Sequence, residues 1–243
     1  MDKMYLLSMF GLMACIQQDE TNSEQQKAEE PADSDGDGYT DEEELEAGTN
    51  PDFAYSHPYE FGNYNVGYCE RGIADPTGPT TSTSTDYGSW PIHNRGDIVD
   101  NFTMIDQHGQ MVDLYSFCGK HIMLAIGQEW CPPCQDLSHQ VQEIQDTYGD
   151  RVQIIEILTA DYDYNEPTQE VLQSWAEDGG ITTIPVLNGF NEADDLNVYE
   201  RDGYIPTTVI IGPDMEVLNL DRGVTDAGRY LSDYDAISFC FPR

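Results

Sequence analysis

Ile122-Met123-Leu124-Ala125-Ile126-Gly127-Gln128-Glu129-Trp130-Cys131-Pro132-Pro133-Cys134 is the stretch on which the fold turns. Residues 122–127 are an apolar run of the kind a strand buried on both faces needs. Past Cys134 the pattern changes. Leu137, Val141 and Ile144 recur at spacings of 4 and 3, the period of one helix face. Two cysteines separated by two prolines therefore stand where a buried strand turns into a helix. The first turn of a helix carries N–H groups without partners and the positive end of the helix dipole. Both stabilise a thiolate at Cys131. Pro132 and Pro133 lack donors that a first turn cannot pair anyway. Cys134, one turn on, is close enough to close a disulfide with Cys131. A structural disulfide, or half of a zinc site, would use the same two residues. Zinc needs two more ligands at a readable spacing, and the chain has no second Cys-x2-Cys and no His-x3-His.

Through Trp130-Cys131-Pro132-Pro133-Cys134 the chain resembles the thioredoxin superfamily. Within it, the chain is most similar to the tethered envelope proteins of the TlpA/ResA type. Their catalytic domains begin with a segment like Gly96-Asp97-Ile98-Val99-Asp100-Asn101-Phe102-Thr103, followed by Asp106-Gln107-His108-Gly109-Gln110. Ile205-Pro206-Thr207-Thr208-Val209-Ile210-Ile211-Gly212 resembles the cis-proline of that family and the strand after it. The resemblance covers residues 96–243. It implies an α/β thioredoxin fold, a central mixed sheet flanked by helices. It implies Cys131 as the attacking thiol, Cys134 as the resolving thiol, Trp130 beside them, and a cis Ile205–Pro206 bond placing Pro206 next to the nucleophile. Cys131 is expected on the exposed side of the turn, with Cys134 deeper, where lost solvation favours the protonated thiol. Catalysis needs no cofactor, and the partners are thiols and disulfides of other envelope proteins.

Two positions depart from the resemblance. Thioredoxin carries a buried Asp six residues before its first cysteine, where this chain has Ala125. ResA-type proteins carry a Glu three residues after the second, where this chain has Leu137. The group that moves the proton of the second thiol is therefore not identified in the sequence, and Glu129 reads as a solvated carboxylate. The peroxidase pattern Pro-x3-Thr-x2-Cys fails as well, because Leu124 and Gln128 hold its Pro and Thr places.

Ahead of this domain the chain changes character several times. Residues 1–15 read as an export signal: Lys3, then an eleven-residue apolar stretch from Met4 to Ala14, too short to span a bilayer as a helix. Leu12-Met13-Ala14-Cys15 resembles the bacterial lipobox. That implies acylation of Cys15 and a lipid-anchored protein of the cell envelope; Ile16, in place of Asp, leans toward the outer membrane. Ordinary signal cleavage and a cytosolic start are the alternatives. Residues 16–32 hold too little apolar content to bury a core and form an acidic, disordered tether.

Residues 33–44 then fit D-x-D-x-D-G-x5-E without a mismatch. Calcium wants oxygen ligands at this spacing. Asp33, Asp35 and Asp37 supply carboxylates, Tyr39 its carbonyl, Asp41 a contact through water, and Glu44 both oxygens. With Glu46-Ala47-Gly48-Thr49-Asn50-Pro51 after it, segment 33–51 resembles the single calcium repeats of bacterial surface proteins. A solvated acidic spacer is the alternative. Residues 52–95 are rich in Tyr, Gly, Pro, Ser and Thr, and Tyr55, Tyr59, Phe61, Tyr64 and Tyr68 suit an extension packed on the main domain.

From residue 96 the pattern predicts a hairpin over 102–112, a strand over 121–127 and a helix over 131–148. A strand over 152–158 and a helix over 168–178 follow. Residues 181–204 read as an acidic insertion, 207–220 as a hairpin, and 226–237 as a last helix. Cys69, Cys118 and Cys240 remain, an odd number. In the thioredoxin topology Cys118 precedes the central strand and Cys240 ends the last helix, both at the pole opposite the active site. This predicts a Cys118–Cys240 disulfide, with Cys69 as a replacement for either partner. The five histidines show no ligand spacing, and no P-loop, dinucleotide fingerprint or serine-nucleophile motif occurs. A net charge of −36 repels nucleic acid and anionic lipid. The chain thus reads as an envelope thiol–disulfide oxidoreductase. A redoxin-type peroxidase, or a calcium-binding surface protein on a non-catalytic thioredoxin scaffold, are its competitors.

Overall fold

The computed structural model describes residues 31–79, 81–85, 88–192, 196–199 and 204–222. The export signal with Cys15, the tether up to residue 30, the last helix and Cys240 lie outside the described residues. Its elements, in chain order, are α1 (Asp41–Ala47), β1 (Thr81–Thr85), β2 (Gly88–Ile92), β3 (Thr103–Ile105), β4 (Met111–Asp113), β5 (His121–Gly127), α2 (Pro132–Tyr148), β6 (Val152–Leu158), α3 (Gln169–Gly179), β7 (Val186–Asn188), β8 (Thr207–Ile211) and β9 (Val217–Arg222).

The apolar run becomes β5, the middle of a five-stranded sheet ordered β7-β6-β5-β8-β9. β6 lies parallel to β5 and β7 parallel to β6, whereas β8 and β9 run antiparallel to their neighbours. The sheet is therefore mixed, as the resemblance implies. Side chains alternate across it, because successive Cβ atoms of a strand point to opposite faces. Met123, Ala125, Val152, Ile154 and Leu158 join the core under α2 and α3, which holds Leu137, Val141, Leu172 and Trp175. Ile122, Leu124, Ile126, Ile155 and Ile157 fill the other face with Leu114, Phe117 and Tyr64. α3 is bounded as its sequence dictates: the Thr168 hydroxyl accepts the Val171 N–H, and Gly180 adopts φ +67°.

Two expectations are corrected. The acidic insertion 181–204 contains β7, an edge strand of three residues whose buried apolar side chains are Val186 and Leu187. Three residues give too short a period to read. The second correction concerns Cys118. It is bonded to Cys69, not to Cys240. The extension carrying Cys69 runs along the backbone of the 114–118 turn: Gly67 N–H donates to the Ser116 carbonyl at 2.7 Å. A Cβ on Gly67 would lie 1.8 Å from the Cys118 carbonyl oxygen, so only glycine allows this approach.

The segment 33–51 is likewise held against this extension rather than hung on a flexible tether. Asn50 Nδ2 donates to the Cys69 carbonyl, Asn50 N–H to Ser56 Oγ, and Ser56 Oγ to the Gly67 carbonyl. Tyr39 stacks on His57 at 5.4 Å between ring centroids.

Candidate active site

Cys131 is the N-cap of α2, with an extended backbone (φ −86°, ψ 107°) and Pro132 and Pro133 in the first turn. It is bonded to Cys134 across a Cα–Cα distance of 5.2 Å. Cys131 Sγ accepts the Cys134 N–H at 3.3 Å. When the bond opens, that N–H and the start of a 17-residue helix face the Cys131 sulfur and favour its thiolate. Gly127 ends β5 directly above the pair. A Cβ there would lie 2.8 Å from Cys134 Sγ, so the strand can meet the helix this closely only through glycine.

The expected contrast in exposure between the two sulfurs is absent. Cys131 is 2% exposed and Cys134 3%. Trp130 and Ile205 pack against the cluster that contains both. What separates the two sulfurs is their surroundings: Cys131 has the helix start, and Cys134 faces the interior. Pro206, reached through a cis Ile205–Pro206 bond, lines a small cavity with Cys134.

Around the motif the polar side chains tie the strand end to the loop after β6. Trp130 Nε1 donates to Gln128 Oε1 at 2.6 Å, and Gln128 Nε2 to Thr159 Oγ1 at 3.2 Å. The Trp130 ring lies 5.2 Å from that of Tyr164. Glu129, read as solvated, accepts the Tyr162 N–H at 2.8 Å and so fixes the loop.

The sequence reading missed Glu156. Val152-Gln153-Ile154-Ile155-Glu156-Ile157-Leu158 passes for an apolar strand, and the one charged residue inside it was the available signal. Glu156 is buried beneath α2 and α3. Its Oε2 accepts Ser138 Oγ at 3.1 Å and Trp175 Nε1 at 2.5 Å. Burial pushes its carboxyl up from an ordinary 4.5 to about 7, and the two hydrogen bonds pull the other way.

The acidic loop forms a second constellation. Gly36 and Gly38 take φ +81° and +102°, the turn chemistry its glycines supply. One carboxylate oxygen each of Asp33, Asp35 and Asp37 lie within 4.8 Å of one another. Glu44, on α1, is 0% exposed, and neither of its oxygens has a hydrogen-bond partner among the described residues. Asp35 Oδ2 and Asp37 Oδ2 are buried and unpartnered in the same way. Four carboxylate oxygens without a hydrogen-bond partner among the described residues, from three side chains, thus lie beside a fourth carboxylate, that of Asp33, and oxygen donors of this kind suit a hard dication. Glu44 is accordingly pushed up to about 7, by burial first and then by the charges of Asp35, Asp37 and Asp41. The Asp41 oxygens each accept a hydrogen bond from Ser34, one from its N–H at 2.8 Å and one from its Oγ at 2.9 Å.

Residues 95–219 match the AhpC/TSA family. The chain belongs to that family. Residues 33–51 of this AhpC/TSA protein match the bacterial TSP3 repeat. Over 130 residues the chain is 26% identical to the thiol-disulfide oxidoreductase ResA of Halalkalibacterium halodurans, a match covering 53% of this chain and 68% of the relative. Over 143 residues it is 29% identical to a protein described as probable nucleoredoxin 3 of Oryza sativa subsp. japonica, covering 57% of this chain but only 27% of the relative. The thioredoxin domain of a thiol-disulfide oxidoreductase from Bacteroides vulgatus superposes with a TM-score of 0.50 at 17% identity. That match covers 58% of this chain and 98% of the domain, and it shows the thioredoxin fold that the resemblance implies.

Proposed function

We propose that this AhpC/TSA protein is an extracytoplasmic thiol–disulfide oxidoreductase that acts on protein disulfides through Cys131 and Cys134. The observation that carries this reading is the Cys131–Cys134 disulfide at the start of α2, with Cys131 Sγ accepting a backbone N–H. In the reduced protein the Cys131 thiolate attacks a substrate disulfide and forms a mixed disulfide, and Cys134 then displaces the substrate thiol. Trp130 and Pro206 border the pair and are where a substrate chain would lie. The family relationship to ResA supports the reaction class. The peroxidase reading has nothing comparable, because Gln128 occupies the place of its Thr and spends its side chain on Trp130 and Thr159. Insulin reduction with dithiothreitol as the electron source tests the proposal. Turnover of insulin without consumption of hydrogen peroxide is the expected result, and the reverse would replace the reading by a peroxidase.

The location outside the cytoplasm rests on the lipobox-like Leu12-Met13-Ala14-Cys15. A lipid on Cys15 would anchor the protein in the envelope; acyl labelling in cells should disappear in Cys15→Ser, and labelling that persists would remove the anchor.

The acidic loop is part of the proposal as a calcium site. Asp33, Asp35, Asp37, the Tyr39 carbonyl and Glu44 would hold the ion, with Glu44 contributing both oxygens; bound calcium would supply the charge that lets these carboxylates stay ionised together. For a single loop, affinity in the range of about 10⁻⁴–10⁻³ M is expected. Calcium at about 10 mM should then raise stability by roughly 1.5–3 kcal/mol at pH 7.5. Without the ion, Glu44 folds with a pKa of about 7 against an ordinary 4.5. Its protonated form therefore contributes stability that is complete below about 4.5 and is lost as pH rises past about 7. Calcium has the opposite preference, since it needs the carboxylate. The thermal shift caused by calcium should grow from pH 5 to pH 7.5 and vanish in Glu44→Gln. A shift that is absent, or equal at both pH values, would remove the site. Because segment 33–51 packs on the extension bonded to Cys118, its loss is also expected to loosen the catalytic domain rather than leave it untouched.

A further inference from the structure

We propose that Glu156 takes the proton of the Cys134 thiol when the mixed disulfide is resolved. The inference rests on the thiol–disulfide exchange proposed above and supplies the group that neither Ala125 nor Leu137 can be.

Strand register puts Glu156 beside Ala125, as Cα partners on β6 and β5, on the face that looks toward α2 and α3. Cys134 and Ser138 are four residues apart on α2, so they stand one above the other on the same side of the helix. Ser138 Oγ donates to Glu156 at 3.1 Å. The helix face that carries Cys134 therefore lies over the carboxyl. Between them is a cavity of about 10 Å³, lined by Cys134, Glu156, Ala125, Leu137, Trp175 and Pro206 among others. That volume suits about one water molecule. The methyl of Ala125 and the absence of a side chain at Gly127 leave this space open; Leu137 closes it on the helix side.

Among the described residues lining the cavity, only Cys134 and Glu156 titrate. Glu129, His139 and Asp178 line a separate groove with Ser138 and Trp175. Among the described residues no cation is a cause of its shift, and its affinity for protons is set by burial, opposed by Trp175 and Ser138. Trp175 can only donate, so Oε2 is an acceptor whether or not Glu156 is charged, and a proton sits on Oε1. A carboxyl that is half ionised near neutral pH can take a proton from a thiol and give it back to solvent at the pH where both steps are needed.

The step balances as follows. Cys131, as thiolate, has attacked the substrate disulfide; the Cys131–substrate S–S bond has formed and the first substrate thiolate has left to take a proton from solvent. The Cys134 S–H then gives its proton to Glu156. The Cys134 thiolate attacks Cys131 Sγ, the Cys131–Cys134 bond forms, the bond to substrate breaks, and the second substrate thiolate leaves and is protonated by solvent. Two electrons pass from the dithiol to the substrate. Glu156 releases its proton through the cavity, and an external dithiol reductant returns the protein to its starting state.

Ellman's reagent separates the two thiols without a protein substrate. The reduced protein releases one thionitrobenzoate when Cys131 attacks and a second when Cys134 resolves. In Glu156→Gln, which keeps an acceptor for Trp175 and Ser138, the first release should keep its rate. The second should slow by about 100-fold at pH 7 and recover above about pH 9, where hydroxide replaces the carboxylate. Moving the carboxyl across the register, in Glu156→Gln/Ala125→Asp, should restore part of the rate at pH 7. A second release with wild-type rate and pH profile in Glu156→Gln would overturn the proposal. If that variant does not fold, carbon NMR of the wild type decides. The Glu156 carboxyl should titrate near pH 7 in the reduced form and shift when Cys131–Cys134 closes; a carboxyl insensitive to the state of the cysteines would overturn the proposal. Failure of the exchange reading itself looks different, since Cys131 would then give no fast first release in any variant.

Discussion

Cys131→Ser should lose disulfide reduction by at least about 1,000-fold, and Cys134→Ser should stall with substrate covalently joined to Cys131. The two outcomes differ because the two sulfurs sit in different places. Cys131 is at the helix start and accepts the backbone N–H of Cys134 at 3.3 Å, which stabilises a thiolate. Cys134 faces the interior cavity with Glu156 and has no such donor at its sulfur among the described hydrogen bonds. Without Cys131 no sulfur has the helix start to hold it as a thiolate; without Cys134 the mixed disulfide forms but nothing resolves it. Mass spectrometry of insulin-treated protein under non-reducing conditions should find the adduct in Cys134→Ser alone. An active Cys131→Ser beside a dead Cys134→Ser would move the nucleophile to Cys134 and refute the assignment of roles.

The second large effect belongs to the other disulfide. Cys69→Ala/Cys118→Ala should lower the stability of the oxidised protein by about 4 kcal/mol. The bond closes a loop of 49 residues, and the unfolded chain gains that freedom when it is cut. The native contacts around it remain, since Gly67 N–H to Ser116 and Asn50 to the Cys69 carbonyl do not need the sulfurs. The loss should therefore appear in the denaturant midpoint while insulin reduction by the folded protein persists. An unchanged midpoint would show that the extension is held by packing alone.

The strand-to-helix junction was legible because three signals agree there: an apolar run, two prolines that suit only a first turn, and helical spacing from Leu137 onward. β8 and β9 were legible from an apolar strand, Gly212-Pro213-Asp214 and a second strand. The partner of Cys118 was not. The segment 52–79 has no hydrophobic period, so nothing in it says that Cys69 returns to the sheet; the return depends on Gly67 fitting against the Cys118 backbone, which is a matter of shape. β7 lies hidden inside the acidic insertion for a related reason, since a three-residue edge strand carries no period. Glu156 was hidden by its neighbours. A strand of seven buried residues reads as apolar, and the one carboxyl in it becomes informative only once Ala125 is known to stand beside it.

The acidic loop inverts this pattern. Its twelve positions were readable residue by residue, yet the hydrogen bonds from Ser34 to Asp41 were not, because they are made through a local turn. Nor did sequence show that the loop belongs to the catalytic body, an attachment made by Asn50, Ser56 and the stacked pair Tyr39 and His57.

Equilibration of the folded protein across a graded series of reduced and oxidised glutathione, followed by alkylation and peptide mapping, tests the central claim most directly. The Cys131–Cys134 pair should open and close reversibly as a two-electron couple, with a midpoint between about −270 and −120 mV, while Cys69–Cys118 stays closed throughout. A Cys131–Cys134 bond that resists reduction to the same limit as Cys69–Cys118 would make it a structural link and contradict the account.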